Sequence, residues 1–578
     1  MRQHDRFVHD RLPPPAQQPH ILRAHPEFQF PQAFNLTDFL FQKGIAHHGP
    51  DAPLFQSLES GGSALSYGQA ARRVDQIAHL LRHTLGLVSG SRVLIHAPNS
   101  PETALVWLGV VKAGLIAVAT MPLLRAKELG KVIRKAEIAW AVVHPALVPE
   151  VVLAAGEAPS LARIITLGTP ATEVPAPLHA GVLGELLATV LKGQHATHAV
   201  QRAEAVNATK ATAGPTTADA TNAFFNADTD GDDIALLAFT SGTTGDPKAV
   251  VHTHHDVAAA CEAWPCSVLR PRPTDLVVGS PPLAFTFGLG GMLVFPMWAG
   301  ASVYYPASRY TPETLVQTIA QVGATTCYTA PTFYRQMVEH IPKGGLPSLT
   351  TCVSAGEALP PAIRDLWRNK TGIELTDGIG ATEMFHIFIS SAPEEVRAGA
   401  IGRVVPGYEA QVVDDEGRPL ADGEIGRLRV RGPTGCRYLA DPRQTNYVKD
   451  GWNYPGDAFR RDADGYFYYQ SRTDDMIISA GYNISGLEVE SVLLTHPAVA
   501  ECGVVGASDE ERGMRVKAFV VVKPDHREHD PVALTKDLQD YVKANIAPYK
   551  YPREIVFVQT LPRTETGKLQ RFRLRDSP

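Results

Sequence analysis

Residues 240–248 read TSGTTGDPK and gather the groups that hold a polyphosphate. Thr240, Ser241, Thr243 and Thr244 offer hydroxyls, and Lys248 adds a cation. Gly242 and Gly245 let backbone N–H groups turn inward. The spacing is not that of a Walker A loop, because Pro247 stands where glycine precedes the lysine. Taken alone, the stretch fits a polar surface loop equally well. Asp377-Gly-Ile-Gly-Ala-Thr-Glu383 sets glycines beside a hydroxyl and a carboxylate. A carboxylate near phosphates suits Mg²⁺, which is held through oxygen by few protein groups; a surface acid in a loop is the alternative. Asp457 closes Trp452-Asn-Tyr-Pro-Gly-Asp457, either as a presented acid or as turn chemistry. Residues 471–484, SRTDDMIISAGYNI, carry Arg472, Asp474 and Gly481 in a stretch that also reads as a salt-bridged linker. Residues 562–568, PRTETGK, end on Lys568 in what reads equally as an exposed tail. His252, His254 and His255 suggest a metal at first sight, but their position reads as the start of a helix.

These groups need elements to hold them. The apolar run Ile234-Ala-Leu-Leu-Ala-Phe239 is a strand leading into residues 240–248. Upstream, residues 93–97 and 140–144 read as strands. Residues 67–85, 101–119 and 127–139 read as helices. Alternation at these lengths predicts parallel sheets with helices on their faces. Residues 1–34 are Pro- and His-rich and read as an arm lying on the surface, since Pro13-Pro14-Pro15 cannot join a helix. Residues 193–230 are Ala/Thr/Asn-rich and read as a mobile insertion. Residues 402–470 favour a small β-barrel or distorted sheet, with Asp464-Gly465 as a hairpin turn. A fresh α+β series begins near residue 475. The expected organisation is an arm (1–34), a large α/β body (35–473) and a small mobile C-terminal domain (474–578).

Composition narrows the class. Hydrophobic residues make up 44% and charged residues 20%, as in ordinary globular protein, and the net charge of −6 points away from nucleic acid. The 6 cysteines are scattered without a C-x-x-C pair, so neither a zinc site nor a disulfide framework is suggested, and a reduced, cytosolic setting fits. No run reaches 18 apolar residues, so no membrane span is expected.

The series TSGTTGDPK, GATE, GD, SRTDD and TETGK, in this order, resembles the adenylate-forming superfamily over nearly all of residues 35–578. That superfamily includes acyl- and aryl-CoA ligases, firefly luciferase and the adenylation domains of peptide synthetases. Ser354-Ala-Gly-Glu-Ala-Leu-Pro360 and Gly378-Ile-Gly-Ala-Thr-Glu-Met-Phe-His-Ile-Phe388 look like the benzoate and 2-aminobenzoate–CoA ligase branch, and the arm Phe7-Val-His-Asp-Arg-Leu-Pro-Pro-Pro15 is similar to 2-aminobenzoate ligases. The resemblance implies a large body of two α/β subdomains and a β-barrel-like subdomain, followed by a small C-terminal domain. It implies ATP, Mg²⁺ and coenzyme A, a small aromatic carboxylate as substrate, and a monomer or homodimer.

By the same resemblance, residues 240–248 hold the β- and γ-phosphates, Thr382 donates to the α-phosphate and Glu383 holds Mg²⁺. Gly356, Glu357, Asp377, Gly378 and Ile379 line the adenine and ribose side. Ile379 stands where many members stack a tyrosine. Asp457 accepts the ribose hydroxyls beside Arg472. Lys568 bridges the α-phosphate and the incoming carboxylate, Asp474 is the hinge, and Gly481 borders the pantetheine channel. Ala284, Phe285, Tyr328, Gly380, His386 and Ile387 form the acid pocket, with a core role left open for His386. No aspartate occurs in Leu283-Ala-Phe-Thr-Phe-Gly288, which argues against an α-amino acid.

Overall fold

The structure, a computed structural model, describes residues 4–57, 64–175, 178–189, 228–240, 246–473, 475–479, 482–509, 513–526, 530–546, 548–563 and 569–575. Among the described residues the strands form four sheets. The first runs Val182, Thr166, Val143, His96, Thr120, Thr240 and Lys248 across its edge, taking one residue from each strand. Its strands are parallel except the last, Lys248–Thr253, which returns antiparallel beside Ile234–Thr240. The second sheet has a parallel centre of Leu276–Gly279, Thr326–Thr329, Thr351–Ser354 and Leu375–Gly380. Ile387–Ser390 then pairs antiparallel with Leu375–Gly380. The third sheet is antiparallel throughout and carries Asp457–Arg461 beside Phe467–Arg472. Residues 402–470 thus build a small antiparallel sheet, as their turn-rich, β-branched composition favours.

The C-terminal part is a separate sheet with its own apolar cluster. Val499–Asp509 and Gly513–Val522 form a long antiparallel pair, and Glu554–Phe557 adds to it in parallel. Gly486–Leu493 and Pro531–Asn545 cover it through Val489, Leu493, Leu538 and Val542. Asp530 caps the longer helix, accepting from the N–H groups of Val532 and Ala533.

Two expectations change. Residues 101–119 are not one helix. The helix stops at Lys112, and Ile116–Thr120 is a strand in the centre of the first sheet. Gly114, at φ 68°, makes the break. Both segments are buried on all sides, so the apolar run carries no periodicity that could tell helix from strand. Nor does the arm simply lie on the surface. Val8 and Phe28 are buried, Ile21 bridges in parallel to Gly432, and His20 N–H donates to the Gly451 carbonyl. The insertion expected over residues 193–230 lies almost wholly outside the described residues. Among those residues no helix is long and apolar enough to cross a membrane.

Candidate functional site

The site candidates collect at the carboxyl ends of the parallel strands, where open α/β sheets bind their ligands. Thr240 and Lys248 face each other across the antiparallel pair, so residues 241–247 join two adjacent strands. The Thr240 hydroxyl is buried, with no hydrogen-bond partner among the described residues. Such a group carries a desolvation cost unless a ligand satisfies it, which fits a phosphate oxygen. Ser241, Gly242, Thr243, Thr244 and Gly245 lie outside the described residues.

Lys248 reaches the centre of the site. Its Nζ donates to the Tyr438 hydroxyl at 2.9 Å and lies 3.4 Å from Glu383 Oε1. Tyr438 in turn donates to the same Oε1 at 2.5 Å. Burial, then the Glu383 charge, pushes the Tyr438 phenol upward, so it stays a donor. The described residues engage only Oε1 of Glu383. Its other oxygen is left for a cation, and the donor set suits Mg²⁺. Thr382 is held by its carbonyl, which accepts from His252 Nε2 at 2.7 Å. The turn Thr382–Met384 ends on Phe385, a buried non-glycine residue at φ 66° and ψ −49°. That conformation is strained. It turns the chain between Glu383 and His386, and the Phe385 ring packs edge-on to His252 at 5.5 Å.

Asp457 and Arg472 are register partners on neighbouring strands, with Nη1 to Oδ1 at 3.2 Å. Arg472 also donates to the Pro455 carbonyl at 2.8 Å. A Cβ on Gly456 would come within 2.7 Å of Arg472 Nη2, so glycine is needed for this clamp. The other nucleotide candidates border Leu375–Gly380. Gly356, at φ 89°, stands two residues after Ser354, the register partner of Asp377, and Glu357 follows it. Gly378 lets the sheet close, since its Cβ would sit 2.7 Å from Ile387. Ile379 is half-buried against the main core.

Asp377 is buried, and its carboxyl is pushed up to about 7 by desolvation, against the pull of Arg364 and of the Gly378 N–H. Arg364 Nη2 is 3.9 Å away, while its Nη1 donates to Glu374 at 2.9 Å. The sign of the pH effect follows. Between the ordinary carboxylate range and about pH 7, the unfolded chain ionises this group while the folded chain holds its proton, so stability falls as pH rises. Asp377→Asn is therefore expected to gain stability relative to the parent between about pH 4 and 7. Urea unfolding at several pH values checks this, and parallel profiles for the two proteins would contradict it.

The acid-pocket candidates divide into two groups. His386 is buried among Trp264 (5.2 Å between ring centroids), Phe287 (5.8 Å) and Phe295 (4.6 Å). Among the described residues neither ring nitrogen meets a partner in full hydrogen-bond geometry, though the Phe287 backbone lies close enough to act on the ring. Desolvation drives His386 down to about 3, so it is neutral. It is buried within this aromatic cluster. Gly290 makes room for it, since a Cβ there would sit 2.6 Å from the ring. Gly380 pairs with Ile387, and its Cβ would fall 2.6 Å from the His386 carbonyl oxygen. Tyr328 packs on Phe287 at 5.9 Å, but also lines a cavity with Asp275, Val277 and Thr351 near the amino ends of the strands. Ala284 and Phe285 line another cavity, with Trp107, Leu236 and Ala238. No ring contact among the described residues joins Phe285 to His386. Phe285 is extended and Thr286 opens a helix, so residues 285 and 287 serve different walls.

His252, His254 and His255 do not converge. His254 Nδ1 accepts from the Leu36 N–H, and His255 Nε2 lies 3.1 Å from the Pro31 carbonyl. Among the described residues no histidine, cysteine and carboxylate cluster could hold a metal. Tyr438 and Asn99 were not legible as site residues. Asn99 accepts from the Leu283 N–H at 2.8 Å and donates to the Pro281 carbonyl at 2.9 Å, fixing the segment that leads to Phe285. Asp474, Gly481 and Lys568 lie outside the described residues.

Thr240 and Lys248 at the joined ends of two strands, the buried carboxylate of Glu383 and the Asp457–Arg472 pair of the neighbouring antiparallel sheet fit an adenylate-forming enzyme. The model of the AMP-binding enzyme family matches residues 41–438, and that of its C-terminal domain matches residues 488–568. The chain belongs to this family, on its benzoate and aryl-CoA ligase branch. It is 33% identical over 557 residues to the benzoate–CoA ligase of Thauera aromatica, covering 96% of this chain and 98% of that one. It is 32% identical to the anthranilate CoA ligase AuaEII in complex with anthranoyl-AMP, with a TM-score of 0.81 over 96% of this chain and 98% of that one. A benzoate CoA ligase from Burkholderia xenovorans LB400 is 31% identical, with a TM-score of 0.77 over 94% of this chain and all of that one (100%).

Proposed function

We propose that this chain joins an aromatic carboxylic acid, 2-aminobenzoate or benzoate, to coenzyme A. The acid attacks the α-phosphorus of ATP, giving acyl-AMP and pyrophosphate; the thiol of coenzyme A then takes the acyl group and AMP leaves. The observation that carries the reading is the ring-lined wall around His386. Trp264, Phe287 and Phe295 offer flat apolar faces, and the neutral imidazole has nitrogens free to meet a ring substituent. The likeness to benzoate and anthranilate ligases supports it.

Phosphoryl-type transfer asks for positioning and charge stabilisation more than covalent help. Thr240 and Lys248 hold the pyrophosphate half with residues 241–245. Glu383 holds Mg²⁺, which neutralises charge on the phosphates when bound. Thr382 donates to the α-phosphate, and the Asp457 carboxylate, braced by Arg472, accepts the ribose hydroxyls. Gly356, Glu357, Asp377, Gly378 and Ile379 border the base. Residues 474–578 act as a lid hinged at Asp474, bringing Lys568 in for the first half-reaction and Gly481 for the second.

Acid-dependent AMP release with coenzyme A, measured across benzoates, aminobenzoates, phenylacetates and aliphatic acids, tests the reading. A ring-bearing acid is expected to give the highest kcat/KM. Preference for aliphatic acids would favour a second reading, supported by 30% identity to the mitochondrial acyl-coenzyme A synthetase ACSM5 of Mus musculus.

A further inference from the structure

The N-terminal arm converges from two directions on the tyrosine that orients Glu383. On one side Arg23 crosses to the helix His254–Trp264. Its Nη2 lies 3.3 Å from Asp256 Oδ1, and its Nη1 lies 2.8 Å from Asp232 and 3.3 Å from His255 Nδ1. Asp256 is fully buried and also caps its own helix, accepting from the Thr253 N–H. Its second oxygen accepts from Arg437 Nη1 at 2.7 Å. Arg437 is the residue before Tyr438, and its carbonyl accepts from the Val251 N–H. On the other side the Gln17 carbonyl accepts from Gln444 Nε2 at 2.8 Å, while Gln444 Oε1 accepts from the Tyr438 N–H at 2.9 Å. The tyrosine is thus fixed by its own backbone and by its neighbour's side chain, and both anchors lead back to the arm.

We propose that the arm is a positioning element of the nucleotide site: Arg23 and the Gln17 carbonyl fix Tyr438, and through it the carboxylate of Glu383 and the ammonium of Lys248. The proposal rests on the reading of Glu383 and Lys248 as the groups that meet MgATP. A buried carboxylate with a guanidinium on each oxygen keeps one arrangement, because moving either cation leaves one of its oxygens buried without that partner. With Arg23 removed, Asp256 keeps Arg437 and the Thr253 N–H on one oxygen and loses the guanidinium on the other, and the segment that ends in Tyr438 loses its anchor to the arm. Arg23 makes its contacts with Asp232, His255 and Asp256, so its effect reaches the nucleotide groups through Asp256 and the Arg437–Tyr438 segment.

Titration calorimetry of the full chain with MgATP, without acid, tests this independently of which acid is the substrate. Arg23→Ala is expected to weaken MgATP binding roughly 3- to 30-fold while the KM for the acid stays put. Arg23→Lys should recover part of the loss. In a Tyr438→Phe background, Arg23→Ala should add little, since the relay already lacks its last member. Unchanged MgATP affinity in Arg23→Ala would overturn the proposal, as would a loss equally large with and without the Tyr438 hydroxyl. Thermal melting identifies the folded variants, and Arg23→Gln replaces the alanine variant should that one not fold. A parent protein that did not bind MgATP would overturn the nucleotide reading itself; binding by the parent with an indifferent Arg23→Ala would overturn the arm's role alone.

Discussion

Lys568→Ala is expected to abolish adenylate formation and to spare thioester formation from supplied acyl-AMP. Negative charge concentrates on the α-phosphate and the incoming carboxylate as they meet. A cation placed at that point acts on the transition state more than on either bound substrate. Lysine suits the task, being a compact charge on a long stem that a moving domain can deliver and withdraw. The described flanks show how the tail that carries it is fastened. Arg563 and Leu569 bridge to each other in antiparallel fashion. Beyond them Arg571 binds both oxygens of buried Glu490, at 2.9 and 2.8 Å, and Arg575 reaches Asp475 at 3.0 Å. Leu569 and Leu574 pack into a small cluster with Val505 and Phe519. The described flanks, residues 563 and 569–575, are therefore fastened to the C-terminal sheet, and the alanine variant leaves those anchors in place. The expected loss in the first half-reaction is roughly 10²- to 10³-fold. ATP–pyrophosphate exchange measures it, and thioester formation from acyl-AMP gives the contrast. An equal loss in both half-reactions would contradict the lid account.

The parts of the site written in short contiguous runs were legible, because a phosphate turn or an acid beside glycine needs only local residue types. Relations across the chain were not. Tyr438 meets Glu383 over 55 positions and Arg23 meets Asp256 over 233, and no spacing rule joins such pairs. The fold class followed from alternating strands and helices. The misreading at residues 101–119 came where both elements are largely buried and only Gly114 punctuates them. The pocket was harder for a related reason. Phe285 and Phe287 belong to one tripeptide but face different walls, since the chain changes from extended to helical at Thr286. His386 gave no hint of its missing partners, because whether a buried imidazole is satisfied depends on residues such as Trp264 and Phe295, far off in sequence.

Glu383→Gln separates the charge of this site from its shape. The carboxamide keeps an oxygen where Oε1 accepts from Tyr438 at 2.5 Å, and it fills the same volume. What disappears is the negative charge that a cation needs. Adenylate formation is expected to fall roughly 10²- to 10³-fold, with a higher Mg²⁺ concentration required for half-maximal rate. Folding should barely notice. Lys248 loses its ion pair but remains 23% exposed and keeps the Tyr438 hydroxyl, so its charge is not stranded. A desolvated carboxylate contributes little net stability, and replacing it with a neutral isostere can be neutral or favourable. Melting within a few degrees of the parent, together with collapsed pyrophosphate exchange, is the expected pair of results. The reverse pair, a large drop in melting temperature with exchange reduced less than about tenfold, would make Glu383 a structural counter-ion for Lys248. The two outcomes differ because a group kept for chemistry is tolerated by the fold, whereas a group kept for stability is needed by it.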